Sequence, residues 1–93
     1  MEDPVREALD RRLARIEGQV RGLRRMVADR AYCADVLTQL SATRNALGQV
    51  GAELAASHVR TCVVGADRHE RAKGRSREEL HEELRLTLSR LVR

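Results

Sequence analysis

At 93 residues the chain is the size of one domain, and a helical chain this short encloses only a thin core, so association with further copies is expected. Its good helix formers Ala, Leu, Arg and Glu, its single proline and its lack of Phe and Trp point to an all-α protein, and one tyrosine excludes a groove that stacks bases on rings. The formal net charge is +4 and no apolar run is long enough to span a membrane, so a soluble cytoplasmic protein with an anionic partner is expected.

The charge is placed unevenly. Residues 11–30 hold seven arginines against Glu17 and Asp29, whereas residues 31–66 balance to zero. The basic stretch reads as a surface for an anion and the neutral middle as a buried segment. One domain over residues 1–93 is expected, with helices over about 4–28, 33–65 and 76–92, without internal repeats or low-complexity segments.

The first helix opens at Asp3-Pro4, a capping acid followed by proline at the first helical position. Val5, Leu9, Leu13, Ile16, Val20, Leu23 and Val27 recur at spacings of three and four, the seam of a packed helix. Gly18 and Gly22 fall off that seam on a stripe with Arg11, Arg15 and Arg25, flanked by Arg12 and Arg21. Glycine costs about 1 kcal/mol in a helix, so a close approach by a helix or DNA is expected there.

The second helix runs from Cys33 towards Gly65, a suitable C-terminal cap, with Leu37, Leu40, Leu47, Val50 and Leu54 as its apolar stripe. The small residues around Ser41–Gly48 leave room for another helix. A polar segment, Ala66–Arg75, reads as a loop. Ser76 with Glu79 then forms a capping box that starts the third helix, whose stripe is Leu80, Leu84, Leu88 and Leu91.

The chemistry lies on the second helix. His58 and Cys62 are four residues apart, which puts them on one helical face within reach of one ion. Cys33 precedes His58 by 25 residues, roughly 37 Å at 1.5 Å per residue, so it cannot join them on the same straight helix. It can join them across an antiparallel pair of helices from two chains, with the two-fold axis near Ala46 and Leu47 and one site at each end. Two thiolates and one imidazole form a soft set that selects Cu(I). Structural zinc normally takes four protein ligands, and nickel or cobalt prefers more nitrogen and oxygen. His69 sits in the charged loop and His81 off the third seam, so both read as solvated.

The run Arg15-Ile16-Glu17-Gly18-Gln19-Val20-Arg21-Gly22-Leu23, then Tyr32-Cys33, then His58-Val59-Arg60-Thr61-Cys62, resembles the copper branch of the copper-sensing operon repressor (CsoR/RcnR-like) family, from about Leu9 to Leu91. The resemblance implies a three-helix protomer, an antiparallel dimer and a dimer-of-dimers tetramer. It also implies operator DNA bound in the metal-free state and released on Cu(I) binding, with copper efflux or storage genes as targets. By position, Cys33 of one chain and His58 and Cys62 of the other become the ligands. Tyr32 and Glu78 stand behind them, although the adjacent Glu79 fits that place equally, and Tyr32 fits a lid on the core equally. Arg12 becomes the main DNA contact, with Arg15 and Gln19 nearby and Arg11, Arg21 and Arg25 on the same basic surface.

Two other readings stay open. Cys33 and Cys62 suit a persulfide- or redox-sensing repressor of the same fold, in which His58 is dispensable. A helical adaptor would need neither metal nor DNA. No paired-carboxylate pocket, triad or Gly-rich phosphate loop is present, so neither enzymatic activity nor a small-molecule substrate is expected. No helix-turn-helix or zinc-finger pattern is present either, which leaves DNA shape as what is read.

Overall fold

In the computed structural model, which describes residues 3–58 and 73–91, all regular structure is helical: α1 (Asp3–Ala28), α2 (Cys33–His58) and α3 (Arg77–Leu91). The expected ends at Ala28 and Cys33 are met; residues 59–65 of the expected second helix lie outside the described residues.

Local chemistry accounts for the helix ends. After α1, the Arg30 N–H donates to the Val27 carbonyl at 3.2 Å and the Ala31 N–H to the Met26 carbonyl at 2.9 Å, with Arg30 at φ 55°. This is a Schellman closure with arginine where glycine is usual, at a steric cost of about 1–2 kcal/mol. The Tyr32 carbonyl then accepts the first bonds of α2, from the N–H groups of Asp35 and Val36. Ser76 caps α3 as expected. Its hydroxyl oxygen accepts the Glu79 N–H at 3.1 Å, and its hydroxyl faces the Glu79 carboxylate at 3.2 Å. Arg75 reaches both Glu79 and Glu83, pinning the approach to the helix. Ser76→Ala is expected to cost about 1 kcal/mol, read as a lower thermal midpoint in a circular dichroism melt.

One exposed pair farther along α3 adds little. Arg85 donates two hydrogen bonds to Glu82, which lowers the Glu82 carboxyl pKa and raises that of Arg85.

α1 and α2 form an antiparallel hairpin. Leu9, Ile16 and Val50 make its core, with Val5 and Ala46 packed against them. The contact repeats every seven residues on both helices, Leu9, Ile16 and half-buried Leu23 on α1 and half-buried Val36, Thr43, Val50 and Ser57 on α2. Thr43 tolerates burial because its hydroxyl donates to the Gln39 carbonyl at 3.0 Å. α3 lies on α2 with Leu91 at the contact, and its Leu80 is only 2% exposed. A Cβ on Gly51 would sit 2.5 Å from the Leu91 Cδ2, so glycine there admits the close approach.

The structure corrects several expectations. The neutral middle is not buried in the protomer: of the α2 stripe only Val50 packs inside, while Leu37, Leu40, Leu47 and Leu54 are exposed. On α1, Leu13, Val20 and Val27 are likewise exposed. The hairpin uses the less apolar register of α2 for itself and turns the leucines outward. Within the protomer a Cβ on Gly22 would meet nothing within 4 Å, and one on Gly18 only the tip of Arg21, so no close approach explains these glycines. Tyr32 is 73% exposed and is no lid on this core. The radius of gyration, 17.0 Å, exceeds the roughly 12 Å of a compact domain of this length.

Candidate metal centre and DNA-facing surface

The two described candidate ligands sit at opposite ends of one uninterrupted helix. Cys33 is the first residue of α2, exposed and with a free thiol. His58 is the last residue of α2, and Cys62 lies outside the described residues. Among the described residues no three His, Cys, Asp or Glu side chains gather to hold a metal ion. A straight α2 permits nothing else, because its ends are roughly 37 Å apart.

Tyr32 adjoins Cys33 and its side chain lies in solvent. Glu78 and Glu79 open α3. They differ in occupation: the Glu79 carboxylate is taken up by Ser76 and Arg75, while Glu78 makes no such bond among the described residues. The capping box had already marked Glu79 in the sequence, and the structure adds its ion pair with Arg75. His81 is exposed on α3, as expected.

Between the two ends of α2 runs the outward leucine face. Leu40, Leu47 and Leu54 follow one another at seven-residue spacing, each between 39% and 51% exposed. A row of half-exposed leucines at that spacing is a coiled-coil seam without its partner. Gly48, beside Leu47, has open space where a Cβ would stand.

The basic candidates all lie on α1. Arg11, Arg12, Arg15, Gln19, Arg21 and Arg25 are exposed. Arg12 differs from the rest: its Nη1 donates to Glu53 Oε1 of α2 at 2.6 Å. Arg11, Arg15, Arg21 and Arg25 have no carboxylate partner among the described residues. Near the hairpin turn a cavity of about 420 Å³ opens between α1 and α2, lined by Gln19, Gly22, Arg25, Met26, Asp29 and Gln39, among others. Sequence reasoning missed Glu53, because nothing local marks a residue so distant in the chain as a partner of Arg12.

An all-α protomer of three helices, with its ligand candidates parted along one of them, defines a class of helical protein. The chain belongs to the metal-sensitive transcriptional repressor family, whose sequence profile matches residues 5–89. Among its relatives, the copper-sensing transcriptional repressor RicR of Mycobacterium tuberculosis is 50% identical over 56 residues, 60% of this chain and 58% of that protein. The copper-sensing transcriptional repressor CsoR of Bacillus subtilis is 43% identical over 61 residues, 66% of this chain and 60% of that protein. The matched region thus spans somewhat less than two thirds of these relatives' own length. The crystal structure of the copper-sensing repressor CsoR with Cu(I) from Geobacillus thermodenitrificans superposes with a TM-score of 0.81 at 36% identity, covering 100% of this chain and 92% of that one. The expected family and the all-α three-helix fold are therefore established. No described helix is long and apolar enough to cross a membrane.

Proposed function

We propose that this chain is a Cu(I)-responsive transcriptional repressor of copper-resistance genes, whose metal-free form holds operator DNA and whose Cu(I)-bound form lets it go. One observation carries the reading: Cys33 and His58 stand at opposite ends of α2, with an unpartnered leucine seam between them. A second copy laid antiparallel along that seam covers the leucines and brings each Cys33 to the far end of its partner's helix. Burying the exposed half of each leucine contributes about 1 kcal/mol.

The donor set fits the metal. Cys33 of one chain with His58 and Cys62 of the partner subunit would hold Cu(I), a soft ion content with few thiolate and imidazole ligands. Tyr32 and Glu78, both exposed in the protomer, supply a hydroxyl and a carboxylate to orient the second nitrogen of the imidazole. Glu78 is preferred to Glu79, which is engaged in capping α3. Two such dimers form the dimer-of-dimers tetramer, acting in the cytoplasm without catalysis or a small-molecule substrate.

DNA meets α1. Arg11, Arg12, Arg15, Arg21 and Arg25, with Gln19, contact phosphates and set the position of the duplex, so affinity falls steeply with salt. Shape supplies the sequence preference. Release is a linkage: whatever DNA affinity is lost with Cu(I) bound is lost equally from Cu(I) affinity on DNA.

The test uses a fluorescein-labelled duplex that the metal-free protein has selected from a random 30-base-pair pool. Anisotropy should show binding by the metal-free protein and release at one Cu(I) per chain under anaerobic conditions. Equal DNA binding with and without Cu(I) would refute the reading.

A further inference from the structure

We infer that Glu53 is an internal competitor for DNA at Arg12: its carboxylate occupies the place a phosphate takes when the duplex binds, and so holds affinity below what the arginine face alone would give. The inference rests on the reading of α1 as the DNA-facing helix.

Among the described residues, Arg12–Glu53 is the one ion pair that joins two helices. It is also the one place where an arginine of the basic face is met by a carboxylate; Arg11, Arg15, Arg21 and Arg25 lack one among the described residues. Both partners of the pair are 44% exposed, so a third group can reach them from solvent. Carboxylate and phosphate present the guanidinium with the same pair of acceptor oxygens. While Glu53 is bound, it cancels the positive charge of Arg12 and sets a negative charge where an incoming phosphate would have to stand.

The exchange is physically easy. A half-exposed ion pair is a weak contact, far weaker than the binding of a whole duplex by several arginines. The pair therefore opens when the neighbouring arginines draw DNA in, and the cost of opening appears as lost affinity. Glutamine at position 53 keeps a carbonyl oxygen for Arg12 and the shape of the side chain while removing the charge. It leaves the core of Leu9, Ile16 and Val50 untouched.

The experiment measures affinity and its salt dependence for the selected duplex with four full-length proteins: wild type, Glu53→Gln, Arg12→Ala and the double variant. Glu17→Gln, which neutralises another exposed acid on α1, serves as the charge control. Helical circular dichroism and melting midpoints verify that each is folded. Glu53→Gln should bind about two- to fivefold tighter for each Arg12 engaged, the range set by surface ion pairs. Its slope of log affinity against log salt should stay close to that of wild type, since both proteins make the phosphate contact in the complex, whereas Arg12→Ala should lose about one from the slope for each such contact. Arg12→Ala should bind more weakly, the double variant should match Arg12→Ala, and Glu17→Gln should gain less than Glu53→Gln.

A Glu53→Gln protein that binds no tighter than wild type overturns the inference while leaving the repressor reading standing. A gain that persists without Arg12 also overturns it, because the carboxylate then acts only through the general field. An Arg12→Ala protein with wild-type affinity removes Arg12 from the interface and the inference with it. Failure of the wild-type protein to bind any duplex removes both readings.

Discussion

Cys33→Ser is expected to bind the selected duplex as well as the wild type does, yet to stay on it when Cu(I) is added. The thiol is exposed at the start of α2, outside the core that holds the hairpin, so the fold should survive. A hydroxyl is a hard donor that Cu(I) accepts poorly. Since disturbing a group that merely orients a ligand costs 10–100-fold in metal affinity, losing a ligand itself should cost at least roughly 100-fold. A titration against a competing chelator reads this directly. The trans arrangement makes a stronger demand. Cys33→Ser and Cys62→Ser chains, each silent alone, should regain one Cu(I) site per mixed dimer when refolded together. One chain contributes its intact Cys33 and the other its intact His58 and Cys62. If all three ligands came from one chain, mixing would restore nothing. His58→Ala separates metal from sulfur chemistry: a persulfide signal needs only the two thiols, whereas Cu(I)-driven release should be impaired without the imidazole.

Leu40→Asp combined with Leu47→Asp should dissociate the dimer and abolish Cu(I) binding and DNA binding together. Both leucines face away from the core of the protomer, with Leu40 51% and Leu47 46% exposed, so neither is needed for the α1–α2 hairpin itself. Near a two-fold axis each substitution enters the interface twice and places facing carboxylates in a dry seam. A cost of at least about 3 kcal/mol follows, more than a hundredfold in the dimer dissociation constant. Sedimentation velocity checks the mass, and circular dichroism checks that the helices remain. Gln49→Glu, an exposed change on another side of α2, should leave the dimer intact. A double variant that sediments with the wild-type mass would show that the seam is not the contact.

Much of this protein was legible before any coordinates. The helices and two of their starts follow from short-range rules: Asp3 before Pro4, and Ser76 three residues ahead of Glu79. The end of α1 was expected at Ala28 and is met there, although the residue that closes it in the left-handed conformation is Arg30 rather than a glycine. The candidate ligands were visible as residue types at a spacing, and their separation along α2 already demanded a second chain.

The choice among apolar faces was not visible. Periodicity shows that Leu40, Leu47 and Leu54 belong together, but it is silent on whether they meet the same chain or another. In the folded protomer α1 takes the Val36, Thr43, Val50 and Ser57 face and leaves the leucines outward. Nor does local sequence pair Arg12 with Glu53, which only the antiparallel hairpin brings to 2.6 Å. The sequence by itself therefore determined three helices, two of the starts and a soft donor set, because propensity, capping and ligand chemistry act over a few residues. The tertiary structure decided which apolar face stays open and which arginine is held by a carboxylate. Those outcomes depend on how rigid helices rotate against one another, and that rotation is set by packing along their whole length.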